Sequence, residues 1–225
     1  GQDSALADIV NFRMDSTRDP NILNVANTPA GTSYIIGGKI AGISGTVDLF
    51  AQNGLNINDS LTINAGQLNL ISGGSMSLVG DLSVTGEVIA NANTNINLHN
   101  VATGTGQSYT AGNNILLNST YTTNSGPINF AGNTILNSDT TVNQNGTGNL
   151  DDVSFGGTVT VIGGNWDLDG NVANGAGDVD FLGQVGGAAA AQRLDDFTVD
   201  GNVTTLNGAV YADDMVLHGT SASDT

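Results

Sequence analysis

From residue 55 the chain alternates apolar and polar positions in short bursts: Leu55-Asn56-Ile57, Leu61-Thr62-Ile63, Leu68-Asn69-Leu70, Met76-Ser77-Leu78, Leu82-Ser83-Val84 and Ile96-Asn97-Leu98. Period-two alternation gives each burst one apolar and one polar face, so each predicts a strand of about three to five residues with one side buried. Successive bursts open at Leu55, Leu61, Leu68, Met76 and Leu82. Hairpin strands recur about every 8 to 12 residues, so this closer spacing predicts a coil of very short strands joined by bends.

A longer period lies over the short one. Phe130-Ala131-Gly132, Phe155-Gly156-Gly157, Phe181-Leu182-Gly183 and Leu206-Asn207-Gly208 each read as a large apolar residue, any residue, then glycine, and they recur at almost equal intervals. The run Asp152-Val153-Ser154-Phe155-Gly156-Gly157-Thr158-Val159 aligns without gaps on Asp178-Val179-Asp180-Phe181-Leu182-Gly183-Gln184-Val185. Val47-Asp48-Leu49-Phe50-Ala51-Gln52 echoes Val179 to Gln184 far upstream. In the first half the step is shorter, as the near-even series Leu55, Met76, Ile96 and Ile115 shows.

Self-similarity at this period marks a solenoid, whose repeats bury an apolar face only by stacking on their neighbours. The expected fold is all-β: a right-handed parallel β-helix, or β-solenoid, with about 20 to 26 residues per coil. About nine to eleven coils at ~4.8 Å per stacked strand would form a rod of about 45 to 50 Å. A β-sandwich is the competing all-β solution, but it needs longer strands and no strict period. Asn53-Gly54, Asn145-Gly146, Asn174-Gly175 and Asn207-Gly208 fall between strands, and Asn and Gly tolerate the left-handed backbone that a sharp corner requires. Residues 46–225 read as one continuous solenoid. Residues 1–45 are less regular: Leu6, Ile9, Val10 and Met14 behind Asp3 and Ser4 have helical spacing, which fits a short capping helix or one irregular coil equally.

Composition agrees. Gly 32 and only 11% charged residues describe turns and short extended pieces, while 39% hydrophobic residues in regular clusters argue against disorder. No apolar run is long enough for a membrane-spanning helix. No signal peptide opens the chain at Gly1, which reads as a mature product or a piece of something longer. The net charge of -17 is uneven. Residues 139–225 hold 13 acids against Arg193 alone, net -12, and residues 1–138 hold 8 acids against Arg13, Arg18 and Lys39, net -5. Such a field repels nucleic acid and anionic membrane. With Cys 0 there is no disulfide framework and no thiolate metal site.

Gly126-Pro127-Ile128-Asn129-Phe130-Ala131-Gly132-Asn133-Thr134, Gln107-Ser108-Tyr109-Thr110-Ala111-Gly112, and above all the run VDFLGQVGGAAAAQRLDDFTVDGNVTTLNGAVYADD from Val179 resemble the degenerate repeats of large bacterial surface exoproteins. These are the filamentous-haemagglutinin-like proteins of two-partner secretion and their autotransporter-adhesin relatives. The resemblance spans about residues 47–220. It implies a right-handed β-helix serving as a stalk, extracellular or on the outer face of a Gram-negative-type cell. Implied partners are a host or neighbouring cell surface, glycans or matrix, with lateral or end-to-end self-association. No catalytic residues come with the repeats.

β-Helices also carry polysaccharide-cleaving enzymes, so glycan binding or cleavage is the alternative. Asp151-Asp152, Asp195-Asp196 and Asp213-Asp214 supply carboxylate pairs, but neighbours in a strand point to opposite faces and rarely converge. His99 and His218 are the only histidines and lack the spacing of a Ser-His-Asp triad. The expectation is a protein that is not an enzyme and needs no cofactor. The one specific ligand that the sequence raises is Ca²⁺. Asp167, Asp169, Asp178 and Asp180 alternate near predicted corners, and carboxylate oxygens are what that ion takes. The repeated calcium-roll motif is absent, and solvated carboxylates that keep an edge-rich rod soluble explain the same residues. Asp180 aligns with Ser154, whereas Asp178 recurs as Asp152. Asp152, Asp178 and Asp180 are therefore the candidate metal ligands, with the 152/178 column the part that repeats.

Overall fold

A computed structural model describes residues 22–27, 33–35, 38–40, 45–51, 54–172 and 177–219. Every strand pair among them is parallel, which removes the sandwich and hairpin alternatives. The chain winds as a β-solenoid of about 8 turns, each turn laying one strand on each of three ladders. At ~4.8 Å per rung the axis is about 38 Å long.

The first ladder runs through Ile22–Asn27, Thr46–Ala51, Gln67–Ser72 and Glu87–Ala92 to Val153–Phe155, Val179–Phe181 and Thr204–Leu206. The second runs through Ser33–Ile35, Gly54–Ile57, Ser75–Leu78 and Ile96–Leu98 to Val159–Val161, ending in single bridges at Val185 and Val210. Strands Gln107–Leu117 and Ile128–Leu136 bend around the corner and belong to both ladders, with a register shift between Thr110 and Asn114. The third ladder is a separate sheet that begins at Gly38–Ile40 and ends at Leu168–Val172, Leu194–Gly201 and Ala212–Gly219. Three of these strands lie between residues 22 and 40, so the ladders begin inside the segment read as coil or cap. The helical spacing from Leu6 to Met14 falls outside the described residues.

Alternation along each strand sends every second side chain inward, and in-register stacking turns those side chains into columns. Leu55, Met76, Ile96 and Ile115 form one such column, as their spacing predicts. Leu49, Leu70, Ala90, Tyr109, Phe130, Phe155, Phe181 and Leu206 form another. Its rings stack face to face: Tyr109 on Phe130 at 5.3 Å, Phe130 on Phe155 at 5.0 Å and Phe155 on Phe181 at 4.8 Å. Phe197 of the third ladder closes the row edge-on to Phe181 at 5.1 Å.

The glycines that follow this column have a packing reason. A Cβ on Gly157 would lie 2.6 Å from the Gly132 carbonyl oxygen, one on Gly183 2.5 Å from that of Gly157, and one on Gly208 2.6 Å from Gly183. The corner backbones of successive rungs touch, and only glycine allows it. The left-handed corners fall elsewhere than the Asn-Gly pairs: the positive-φ glycines among the described residues are Gly126, Gly163 and Gly186. Asn53, Asn174 and Gly175 lie outside the described residues, and at Gly208 close approach is the constraint.

The longer step of the second half comes from the corners. In the third ladder Val142 pairs with Gly170 and Leu168 with Phe197, the longest steps of that ladder, and then Phe197 pairs with Met215 over a much shorter one. The extra chain is the loops 145–152, 162–167 and 186–193. The last coil passes directly from Val210 to Ala212.

Candidate functional site

The polar residues with a repeating arrangement sit at the corners. The residue just before each third-ladder strand, from the second coil to the seventh, is Ser60, Asp81, Asn100, Ser119, Asp139 and Asp167. Such side chains accept backbone N–H groups that a bend leaves unpaired. Asp81 N–H donates to Ser60 Oγ at 3.3 Å, Thr120 N–H to Asn100 Oδ1 at 3.1 Å, Asp167 N–H to Asp139 Oδ1 at 3.1 Å and Asp196 N–H to Asp167 Oδ1 at 3.1 Å. Asp81 Oδ1 also accepts from Asn100 Nδ2 at 2.8 Å and lies 3.0 Å from His99 Nδ1, and these two contacts hold its carboxyl below the usual carboxylate range.

The corner entering the first ladder uses the same device. Asp178 N–H donates to Asp152 Oδ1 at 2.9 Å, and Val203 N–H and Asn202 Nδ2 donate to Asp178 Oδ1 at 3.1 and 3.2 Å. Asp152 and Asp178 therefore do form a column, as the repeat predicts, and one oxygen of each binds the following rung. Asp180 stands apart, facing outward between Ser154 and Thr205. Among the described residues no three or more His, Asp or Glu side chains gather in a way that could hold a metal ion. Asp152 and Asp178 are spent on corner hydrogen bonds, and Asp180 lies two positions beyond Asp178 on the outward side of the strand.

Of the adjacent carboxylate pairs, Asp151 and Asp152 diverge. Asp151 is buried and accepts from Gly126 N–H at 2.6 Å and Gly148 N–H at 2.7 Å, while Asp152 serves the next rung. Asp196 pairs in register with Asp214, and Asp213 lies 3.6 Å from Arg193. Asp139, Asp167, Asp169 and Asp196 make an acidic strip along the third ladder. Burial first, then the Asp167 charge, pushes the Asp169 carboxyl up, against a hydrogen bond from Thr198. Exposed Asp196 is raised by desolvation and by Asp167, Asp195 and Asp214.

Inside the coil a polar cluster interrupts the apolar columns. Gln107 Nε2 donates to the Thr122 carbonyl at 2.7 Å and to Thr103 Oγ1 at 3.2 Å, and Tyr109 OH donates to Gln107 Oε1 at 2.9 Å. Tyr121 OH donates to the Leu98 carbonyl at 3.1 Å and accepts from Asn118 N–H at 3.1 Å. Burial pushes both phenols well above their usual range. These groups are consumed internally and face no substrate.

On the outside of the third ladder is a shallow depression of about 330 Å³, lined by Ser83, Ala102, Thr103, Thr122 and Asn124 among others. No carboxylate or aromatic residue lines it. Trp166 is on a different corner, half-buried, with Nε1 donating to the Ile162 carbonyl at 2.8 Å. The Ser/Asp/Asn residue before each third-ladder strand was readable in the sequence; its signal is position relative to the strand, not identity.

No family model matches the chain, and no curated protein or solved structure matches it. The fold alone defines its class, a parallel β-solenoid repeat protein.

Proposed function

We propose that the chain is a structural stalk or adhesive module of a secreted or surface-displayed bacterial exoprotein, acting without catalysis. One observation carries this reading: the repeating polar side chains at the corners are spent on the next rung. Ser60, Asn100, Asp139, Asp152, Asp167 and Asp178 each accept a backbone N–H from the following coil. Side chains used this way lengthen and stiffen a rod. The net charge of -17 keeps neighbouring rods from pairing sideways. Sugar binding, the alternative, would draw on the hydroxyl- and amide-lined depression around Ser83 and Thr122. Cleavage would need two carboxylates facing one bond, and the neighbours Asp151 and Asp152 are each spent on backbone N–H groups in different places.

Single-molecule pulling between the chain ends tests the stalk. A mechanical element gives resolved force peaks, with coils released one or a few at a time at about 70 to 90 Å of chain per coil. Extension without a resolved peak would overturn the reading. Release of reducing ends from a polysaccharide panel would replace it with the enzymatic alternative.

A further inference from the structure

Two Asn-Gly pairs lie wholly among the described residues, Asn145-Gly146 and Asn207-Gly208, and both asparagines are exposed. In such a pair the glycine nitrogen can close on the asparagine side chain, because no Cβ shields it. Closure needs that nitrogen free of its hydrogen bond and stripped of its proton. The state of the glycine N–H therefore decides which pair reacts.

At Asn145 the nitrogen is held. Gly146 is buried, and its N–H donates to Gln144 Oε1 at 3.0 Å. Gln144 is itself fully buried and fixed by donation from Nε2 to the Gly126 carbonyl at 3.1 Å. A Cβ on Gly146 would overlap Asp151 Oδ2, so the Asp151 carboxylate stands against this residue and opposes a negative charge on its nitrogen.

At Asn207 the nitrogen is not held. Asn207 N–H donates to the Phe181 carbonyl at 3.0 Å, but no carbonyl among the described residues accepts the Gly208 N–H. This is a property of the corner and not of one rung. Gly157 and Gly183 occupy the same position with a coil on either side, and no described carbonyl accepts their N–H groups either. The residue before them is also exposed there, as Gly156 and Leu182.

We propose that Asn207 is a self-modification site, converted by the Gly208 nitrogen to isoaspartate and aspartate while Asn145 is spared. Solvent base takes the Gly208 N–H proton, the nitrogen bonds to Asn207 Cγ, and the Cγ–Nδ2 bond breaks, releasing Nδ2 as ammonia with a proton from water. Water then opens the cyclic imide. Breakage of the new N–Cγ bond returns the ordinary main chain with an aspartate. Breakage of the original peptide bond leaves the chain running through Cγ as isoaspartate, one atom longer. Either product adds a carboxylate to a column whose earlier members are Ala131, Gly156 and Leu182. Isoaspartate also lengthens the main chain at a corner without slack, since a Cβ on Gly208 would already lie 2.6 Å from the Gly183 carbonyl oxygen.

The test ages the folded chain in mildly alkaline buffer, digests it with pepsin in acid, and reads each peptide for amide-to-acid mass gain and for labelling by an isoaspartyl methyltransferase. Residue 207 should convert about tenfold faster than residue 145, the ratio expected when one site must break a further hydrogen bond beside a carboxylate. In urea the two should convert at comparable rates. Gln144→Met removes the acceptor at similar volume, so it should speed conversion at 145 several-fold, with far-ultraviolet dichroism unchanged, and leave 207 as it was. Equal rates at the two sites in the folded chain, faster conversion at 145, or a residue 145 no faster in Gln144→Met would overturn the proposal.

Discussion

Phe155 and Phe181 lie with ring centroids 4.8 Å apart and planes 5° from parallel, which is the rung spacing of a β-ladder. The stack is a consequence of register: the two residues occupy one inward position on successive coils. Phe155 is covered on its other face by Phe130, so Phe155→Ala removes two ring contacts and leaves a cavity. The expected loss is about 3 to 5 kcal/mol. Phe155→Leu should cost clearly less, because leucine fills the same column at Leu49, Leu70 and Leu206. Urea unfolding of the two variants checks this, and equal midpoints for Phe155→Ala and the parent chain would count against the column.

Asp178 accepts two N–H groups from the Asn202-Val203 corner. Asp178→Ala should lower stability by about 1.5 to 3 kcal/mol, as expected for a lost hydrogen bond to a charged group. Asp178→Asn should retain most of it, since its amide oxygen accepts the same donors. Thermal melting with added Ca²⁺ and with chelator should superimpose. A calcium-dependent rise in Tm that Asp178→Asn abolishes would make the Asp152/Asp178 column a metal site instead.

Thr134 is fully buried between Ile115 and Val159, and its hydroxyl has no hydrogen-bond partner. Thr134→Val keeps the shape and removes the desolvated oxygen. The variant should gain about 1 kcal/mol, read as a higher urea midpoint with unchanged slope; a lower midpoint would mean that the hydroxyl is bonded.

Asp169 has its carboxyl raised by burial and by Asp167. A carboxyl whose folded pKa lies above its unfolded one binds its proton more tightly in the native state. Its cost is therefore fully present at neutral pH, is relieved as pH falls through the raised pKa, and is gone below the unfolded value near 3.8. Tm should rise on mild acidification, and Asp169→Asn should raise Tm at neutral pH and flatten that slope. Asp81, held low by Asn100 and His99, works in the opposite direction only below its unfolded pKa, so the two effects occupy separate windows. A Tm that falls steadily from neutral pH would contradict this account of the acidic strip.

Columns were legible in the sequence because register copies itself. Phe130, Phe155, Phe181 and Leu206 are spaced as their rungs are, and the glycine two positions later marks where the backbones touch. The alignment that put Ser154 beside Asp180 is the pairing observed. Corners were less legible, because a bend is set by backbone geometry that several residue types satisfy. Of the Asn-Gly pairs, the described Gly146 and Gly208 are not left-handed, whereas Gly126 is, and so are Gly163 and Gly186, each the first glycine of a β-branched-Gly-Gly run. The roles of Asp152 and Asp178 were ambiguous for a related reason: a carboxylate that would bind a cation and one that accepts backbone N–H groups have the same residue type and the same repeat.

The in-register parallel stack is the claim on which everything else rests, and paired cysteines in this cysteine-free chain measure it directly. Ser154, Asp180 and Thr205 face outward at one position on three successive rungs. Air oxidation of S154C/D180C should form an intramolecular disulfide readily, since neighbouring rungs sit within disulfide reach. S154C/T205C should remain as two thiols, two rungs (~9.6 Å) apart. Efficient closure of S154C/T205C, or failure of S154C/D180C to close, would contradict the ladder.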